Sequence, residues 1–275
     1  MPAKHVLKLC LLLCLLVASL LACDVNVTSN GIQTTNSSTP VTTLGPNTPL
    51  NTWLQGASGV ELRYEHWKSP GNNQDTVTIA RFDLHRVHIS VGYQPDQPQT
   101  LNAWMQQTGA IAVIDGGYFD DHNRPAGLLV SNGHATGTSY NGFGGMLSVD
   151  TQGNVSLRSL RDNPYNPANE QLQQATQSSP MLIINGQRTN FSADAQSQRR
   201  SVVAIDKQGR LLLIVSPSQS FSLDELADLL ASSDLSIQTA LNLDGGTSTG
   251  LYVNSGNQKV TTDAITALPI VIIVK

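Results

Sequence analysis

Two triplets of the same composition stand out as places where chemistry could occur, Asp115-Gly116-Gly117 and Asp244-Gly245-Gly246. Each follows a short run of apolar or near-apolar residues, Ile111–Ile114 and Thr239–Leu243, so each is expected at the C-terminal end of a strand. A pair of glycines lets the chain turn sharply at positive φ. It also leaves N–H groups uncovered, and these can cradle an anion. An aspartate at such a corner is expected to face a cleft, and Thr247, Ser248 and Thr249 add hydroxyls after the second one. Asp-Gly is also a common turn pair, and one corner alone would be read as no more than that. Its repetition argues for a shared site.

Tyr118, Phe119, Asp120, Asp121, His122 and Asn123 follow the first corner. Aromatic groups beside carboxylates suit a sugar ring, although Asp120-Asp121 could equally be a solvated turn and His122 an exposed loop side chain. Arg199 and Arg200 stand at the entrance of an expected strand, Ser201–Ile205. There a guanidinium fork could grip a phosphate, or the two could be an exposed basic pair. Calcium or magnesium could use Asp115, Asp120 or Asp244 as a ligand, but nothing in the sequence requires a cofactor. Zinc is not expected, because no two histidines have ligand spacing. Nucleophile-elbow, phosphate-loop lysine, HExxH and dinucleotide fingerprints are absent.

The elements that must position these groups are mostly strands. Alternating or β-branched runs place strands at Val60–Tyr64, Thr76–Ala80, Arg86–Val91, Ala126–Val130, Gly145–Val149, Met181–Ile184, Leu211–Val215, Leu251–Val253 and Ile270–Val274. Three helices are expected. Thr100–Gln107 is stopped by Gly109, and a second runs from Asn166 with Pro167 at its first position to about Thr176. The third, Leu223 to about Ala231, opens on a Ser222/Glu225 capping box. The βαβ rhythm of a doubly wound sheet is missing. An α+β fold is therefore expected, a mixed β-sheet core with a few short helices in a single globular domain over residues 53–275.

The N-terminus is organised for export. Lys4 and Lys8 precede an apolar stretch, Leu9–Leu21, too short for a spanning helix. Leu20-Leu21-Ala22-Cys23 resembles a bacterial lipobox, so residues 1–22 read as a lipoprotein signal peptide and Cys23 as the lipidation site; a soluble secreted protein is the alternative. Asp24 resembles an inner-membrane retention signal only if the host is enterobacterial. Residues 23–52, rich in Thr, Asn, Ser, Pro and Gly, read as a flexible tether. The three cysteines are Cys10, Cys14 and Cys23, so the domain after the tether has no thiol for a disulfide or a metal. Removal of residues 1–22 takes two basic residues and no acidic one, leaving 14 basic against 20 acidic residues and a net charge of −6. That balance argues against nucleic-acid binding. The expected place is the bacterial cell envelope, outside the cytoplasm, with the membrane reached through lipid.

The stretches AVIDGGYFD, RRSVVAI and ALNLDGGTST resemble the phosphodiester glycosidase domain, the family that includes the lysosomal uncovering enzyme. The resemblance covers about residues 75–275. It implies hydrolysis of a sugar joined through its anomeric carbon to a phosphodiester, in envelope or extracellular glycans. It also implies roles. Arg200, Gly116, Gly117, Tyr118, Gly245, Gly246 and Ser248 would bind substrate, Asp244 would be the catalytic carboxylate, and Asp115 or Asp120 a second carboxylate or a cation ligand. The family usually has Asn where this chain has Asp115, a swap that would add charge near the phosphate. Thr247 stands where glycine is common. Two other readings remain open: a non-catalytic lipoprotein that binds phosphorylated glycans, and a structural part of the envelope. The sequence leaves the oligomeric state unknown.

Overall fold

Leu211–Val215 is an unbroken apolar run because both faces of its strand are covered. Leu211, Leu213 and Val215 point into one core, Leu212 and Ile214 into another. This strand lies near the middle of the principal sheet of the computed structural model, which describes residues 48–57 and 59–275. The expected signal peptide, Cys23 and most of the tether lie outside the described residues.

The principal sheet has the order β1 (Leu54–Gln55), β2 (Val60–Lys68), β3 (Gln74–Phe82), β14 (Leu211–Phe221), β13 (Gln198–Asp206), β15 (Ile237–Asn242), β11 (Met181–Ile184), β12 (Gln187–Arg188). A five-stranded sheet follows the order β17 (Gln258–Thr262), β16 (Leu251–Ser255), β5 (Ala112–Asp115), β18 (Ile270–Val274), β4 (Ile89–Tyr93). A second runs β7 (His134–Thr136), β6 (Leu129–Ser131), β10 (Leu172–Ser178), β8 (Gly145–Asp150), β9 (Val155–Ser159). The expectation of a mixed sheet is corrected: the strand pairings, such as β13 with β15 and β5 with β18, are antiparallel throughout the described residues. The α+β expectation needs a related adjustment. Two α-helices accompany 18 strands among the described residues, so the fold is richer in β-structure than expected.

Both helices form where capping and periodicity place them. In α1 (Leu101–Thr108) the Thr100 side chain accepts from Ala103 N–H, and Gly109 closes the helix at φ 62°. In α2 (Leu223–Ser232) the Ser222/Glu225 box is complete, and Leu223, Leu226, Ala227 and Leu230 are buried against the outer face of the principal sheet. Each such leucine contributes about 1.5–3 kcal/mol by leaving water. The helix expected from Asn166 does not form. Asn166 takes the N–H of Ala168 in a turn, and Leu172–Ser178 becomes β10, paired on both sides. Its Gln and Ala residues favour helix locally, but pairing and burial between β6 and β8 override that preference.

The principal sheet's inner face packs on β5, β16 and β18 through Ile114, Leu251, Val253 and Ile272. This packing brings the ends of β5, β13 and β15 together. Asn51, at the end of the expected tether, already donates its N–H to Tyr64 O at 2.8 Å.

Candidate functional site

The two glycine corners touch. Asp244 N–H donates to Gly116 O at 2.9 Å. The sheet also supplies Leu243 N–H to Ser201 O at 2.9 Å, so β13 is laced to the same point. The side chains of the two aspartates nevertheless have different surroundings.

Asp115 is the last residue of β5, a strand with neighbours on both sides, and it is 0 % exposed. One oxygen accepts Gly250 N–H at 3.2 Å, and Oδ2 has no hydrogen-bond partner. Burial, and secondarily the charge of Asp244, push its carboxyl well above the ordinary range; the Ser201 hydroxyl and Gly250 N–H pull more weakly the other way. Enclosure in the sheet thus favours the protonated form of Asp115 more than an exposed aspartate would allow. Asp244 lies two residues beyond β15 and is partly exposed. Burial raises its pKa too, opposed by the Ser248 hydroxyl and by Gly245 N–H, which donates to Oδ1 at 2.9 Å.

The glycines also differ from expectation. Gly246 adopts φ 59°, but Gly116, Gly117 and Gly245 do not have positive φ. Close approach requires glycine at the first corner: a Cβ on Gly117 would lie 2.1 Å from Gln177 O, and one on Gly116 2.5 Å from the Ile270 side chain. The anion cradle expected at the first corner is filled from within, since Gly116 N–H goes to Ile270 O and Gly117 N–H to the Thr176 hydroxyl. At the second corner Gly246 and Thr247 open a 3-10 turn, Gly246–Ser248, whose first N–H groups have no acceptor inside the turn.

Tyr118 and Asn242 join the corners to β10 and β11. Tyr118 OH donates to Ser179 O at 2.9 Å and accepts from Asn242 Nδ2 at 2.8 Å. Burial pushes the Tyr118 hydroxyl up to about 12, with Asp244 adding to the rise and Arg200 opposing it. Both charged groups therefore lie close to the ring. Arg200 is largely spent on structure. Its Nε donates to Phe221 O, and Nη2 to Gln196 O and to Asp194, its ion-pair partner at 2.8 Å. Nη1 is the one corner of the fork without a partner in the described residues. Arg199 points the other way, to Pro217 O at 2.8 Å and Asp263 O at 2.7 Å.

Asp120 stands apart. It is exposed, and its carboxylate accepts the N–H groups of His122 and Arg124, which holds its pKa down and closes its own turn. Among the described residues no three Asp, Glu, His or Cys side chains converge on one point. The proposed chemistry below routes no step through a cation. Asn242, Ser179, Thr176 and Ser201 were missed as site residues. A polar Asn inside the apolar strand ALNL was the available signal for the first; the others lie in segments without a local signature.

The model of the phosphodiester glycosidase family matches residues 108–275, a span that holds both corners, Arg200 and the Tyr118–Asn242–Ser179 network. The chain belongs to the phosphodiester glycosidase family. Three solved structures share the fold. The zebrafish N-acetylglucosamine-1-phosphodiester α-N-acetylglucosaminidase catalytic domain, auto-inhibited by its pro-peptide, superposes with a TM-score of 0.60 at 18 % identity, covering 80 % of this chain and 86 % of that one. A hypothetical protein from Synechocystis gives 0.59 at 18 % identity, over 83 % and 64 %. A protein from Burkholderia pseudomallei described as exported gives 0.53 at 12 % identity, over 74 % of each chain. No curated protein matched the chain. In this phosphodiester glycosidase domain the matched region starts at the end of α1, so β1 to β4 lie outside it.

Proposed function

We propose that the chain hydrolyses the bond between a sugar's anomeric carbon and a phosphodiester, with Asp244 as the working carboxylate. The observation that carries this reading is the direct bond between the corners, with a half-buried Asp244 whose charge acts on Tyr118. As the C1–O bond breaks, its electron pair leaves with the phosphodiester oxygen and positive charge grows on the sugar. Asp244 stabilises that charge and either takes a proton from the attacking water or bonds to C1 itself. Arg200 Nη1 and the N–H groups opening the 3-10 turn face the departing phosphate. The products are the free sugar and a phosphomonoester. Glycosidases commonly need a second carboxyl as acid, but a phosphate ester leaves without strong protonation, so one accessible carboxylate is enough.

The test is release of free sugar from methyl N-acetyl-α-glucosaminyl phosphate, a substrate suggested by the name of the zebrafish enzyme. Wild type should release it and Asp244→Asn should not; equal rates would remove Asp244 from the chemistry. The single accessible carboxylate also favours a second reading, a non-catalytic receptor for phosphorylated glycans. Binding of the same diester without turnover by wild type would select it. We further propose that the domain works outside the membrane on a lipid carried by Cys23. Labelled palmitate should enter the wild-type chain and not Cys23→Ala; equal labelling would exclude that cysteine.

A further inference from the structure

Beside the corners lies a cleft of about 400 Å³ that the proposed chemistry does not use. Gly142–Gly144, Thr189–Ser192 and Ser179–Met181 supply most of its lining. Phe143 is 52 % exposed, yet one ring face is stacked on Tyr140 at 4.6 Å and 25°. Its loop is held in place. The buried Gln177 accepts Tyr140 N–H at 2.8 Å and donates to Ser139, while Gly142 and Gly144 flank the ring at φ 75° and 71°. Phe191 also lines the cleft, with the Arg188 guanidinium 5.4 Å from its ring centroid. A preset aromatic face with hydroxyl and amide groups around it suits a sugar ring.

Charge narrows the occupant. The chain is acidic overall, at −4, but no Asp or Glu lines the cleft, and its one charged lining residue is Arg161. The Arg161–Asp162 pair, at 3.4 Å, is exposed and so holds the guanidinium only weakly. The cleft meets the corners through Ser179, whose carbonyl accepts from both Tyr118 and Asn242. The lining segment Thr189–Ser192 leads along the chain to Asp194 and Gln196, which hold Arg200. Asp244 is not among the residues that line the cleft, so a ring bound there is a different unit from the one that reacts.

We infer that the cleft is a subsite for an anionic saccharide unit other than the one that reacts, with its ring on the free face of Phe143 and its phosphate or carboxylate on Arg161. The inference deepens the reading of the corners and rests on it only for the word substrate; the binding itself stands alone. The probes are glucose 6-phosphate, glucuronate and glucose, titrated calorimetrically into the full chain. The two acids should bind about tenfold more tightly than glucose. Phe143→Ala should weaken both acids about tenfold and Phe143→Trp should keep them. Arg161→Gln should bring the acids down to glucose. Should Phe143→Ala and Arg161→Gln both leave the affinities unchanged, the inference is overturned, most directly if Arg200→Gln alone abolishes binding. Phe143 and Arg161 lie on the surface, so neither change threatens folding. Failure of Asp244→Asn to affect turnover would undo the catalytic reading while leaving these affinities as they are.

Discussion

The same three residues, Asp-Gly-Gly, occur twice and are put to different uses. Asp115 is still inside its strand, between β16 and β18, and the sheet encloses its carboxyl. Asp244 comes two residues after β15 has ended, and its carboxyl is partly open. An offset of two residues against the strand end thus separates a buried carboxyl from an accessible one. The glycines divide in the same way. At the first corner they let backbone and side chains pass at near-contact distance, while at the second Gly246 supplies a left-handed turn. In the proposed chemistry one corner is the support and the other is the working edge.

The largest expected effect breaks or sharpens that division directly. Asp244→Asn should lower kcat/KM on the methyl diester by about 10²–10⁴-fold, the usual worth of a positioned acid or base. Asp115→Asn should change it by less than about tenfold, because a carboxamide keeps an acceptor for Gly250 N–H. Equal losses from the two substitutions would mean that the corners act as a pair and that burial of Asp115 misleads.

The glycines give the next contrast, in stability. Gly117→Ala forces backbone apart, since its Cβ would sit 2.1 Å from Gln177 O. Overpacking of this kind costs about 1–3 kcal/mol and sometimes more. Gly246→Ala has open space, the nearest atom being the end of the Gln198 side chain at 3.6 Å, and meets only the strain of φ 59°, about 1 kcal/mol. Urea unfolding of the two variants should rank them in that order. The reverse order would show the first corner to be the more pliant.

A smaller effect concerns protons. The folded carboxyl of Asp115 is raised, whereas in the unfolded chain it titrates near about pH 3.9. Between those two values the folded state holds a proton that the unfolded state has lost, so stability falls as pH rises and levels off above the folded value. Each unit of elevation costs about 1.4 kcal/mol at high pH, and 1 kcal/mol moves Tm by about 2–4 °C in a domain of this size. Asp115→Asn should therefore match wild type in Tm at pH 3.5 and exceed it at pH 8. A constant difference across pH would mean that Asp115 is ionised in the fold.

Much of this was legible in the residues, and the failures have physical causes. Ser222 with Glu225, and Thr100 with Gly109, announce their helices because caps are local chemistry. Leu211–Val215 announces a strand because both of its faces need covering. Leu172–Ser178 misleads because its glutamines gain their role only from neighbours distant in sequence: Gln177 holds the N–H groups of Leu128 and Tyr140, and Gln174 that of Val91. The turns Asn132-Gly133 and Asn185-Gly186, all four residues at positive φ, are hairpin signals that could have been read. The site was half legible. The triplets mark its place, but whether each aspartate is open depends on where its strand stops. Strand ends are set by partners, and no local motif encodes them.

The smallest expected effect probes Asp244 itself. Burial raises its pKa and the Ser248 hydroxyl opposes that rise. If ionised Asp244 does the work, activity should grow as pH rises through its pKa, giving kcat/KM an acid limb. Ser248→Ala removes one stabiliser of the charged form, so the pKa should rise further and the limb should move to higher pH, by about one unit or less for a single neutral donor. The plateau above the limb should change little, since Ser248 is 4 % exposed and acts through Asp244 rather than on the sugar. Burial, the Ser248 hydroxyl and Gly245 N–H set the Asp244 pKa, so Asp115→Asn should leave the limb in place. A limb that moves with Asp115→Asn and stays put with Ser248→Ala would assign the titrating carboxyl to the wrong corner and reverse the division between support and working edge.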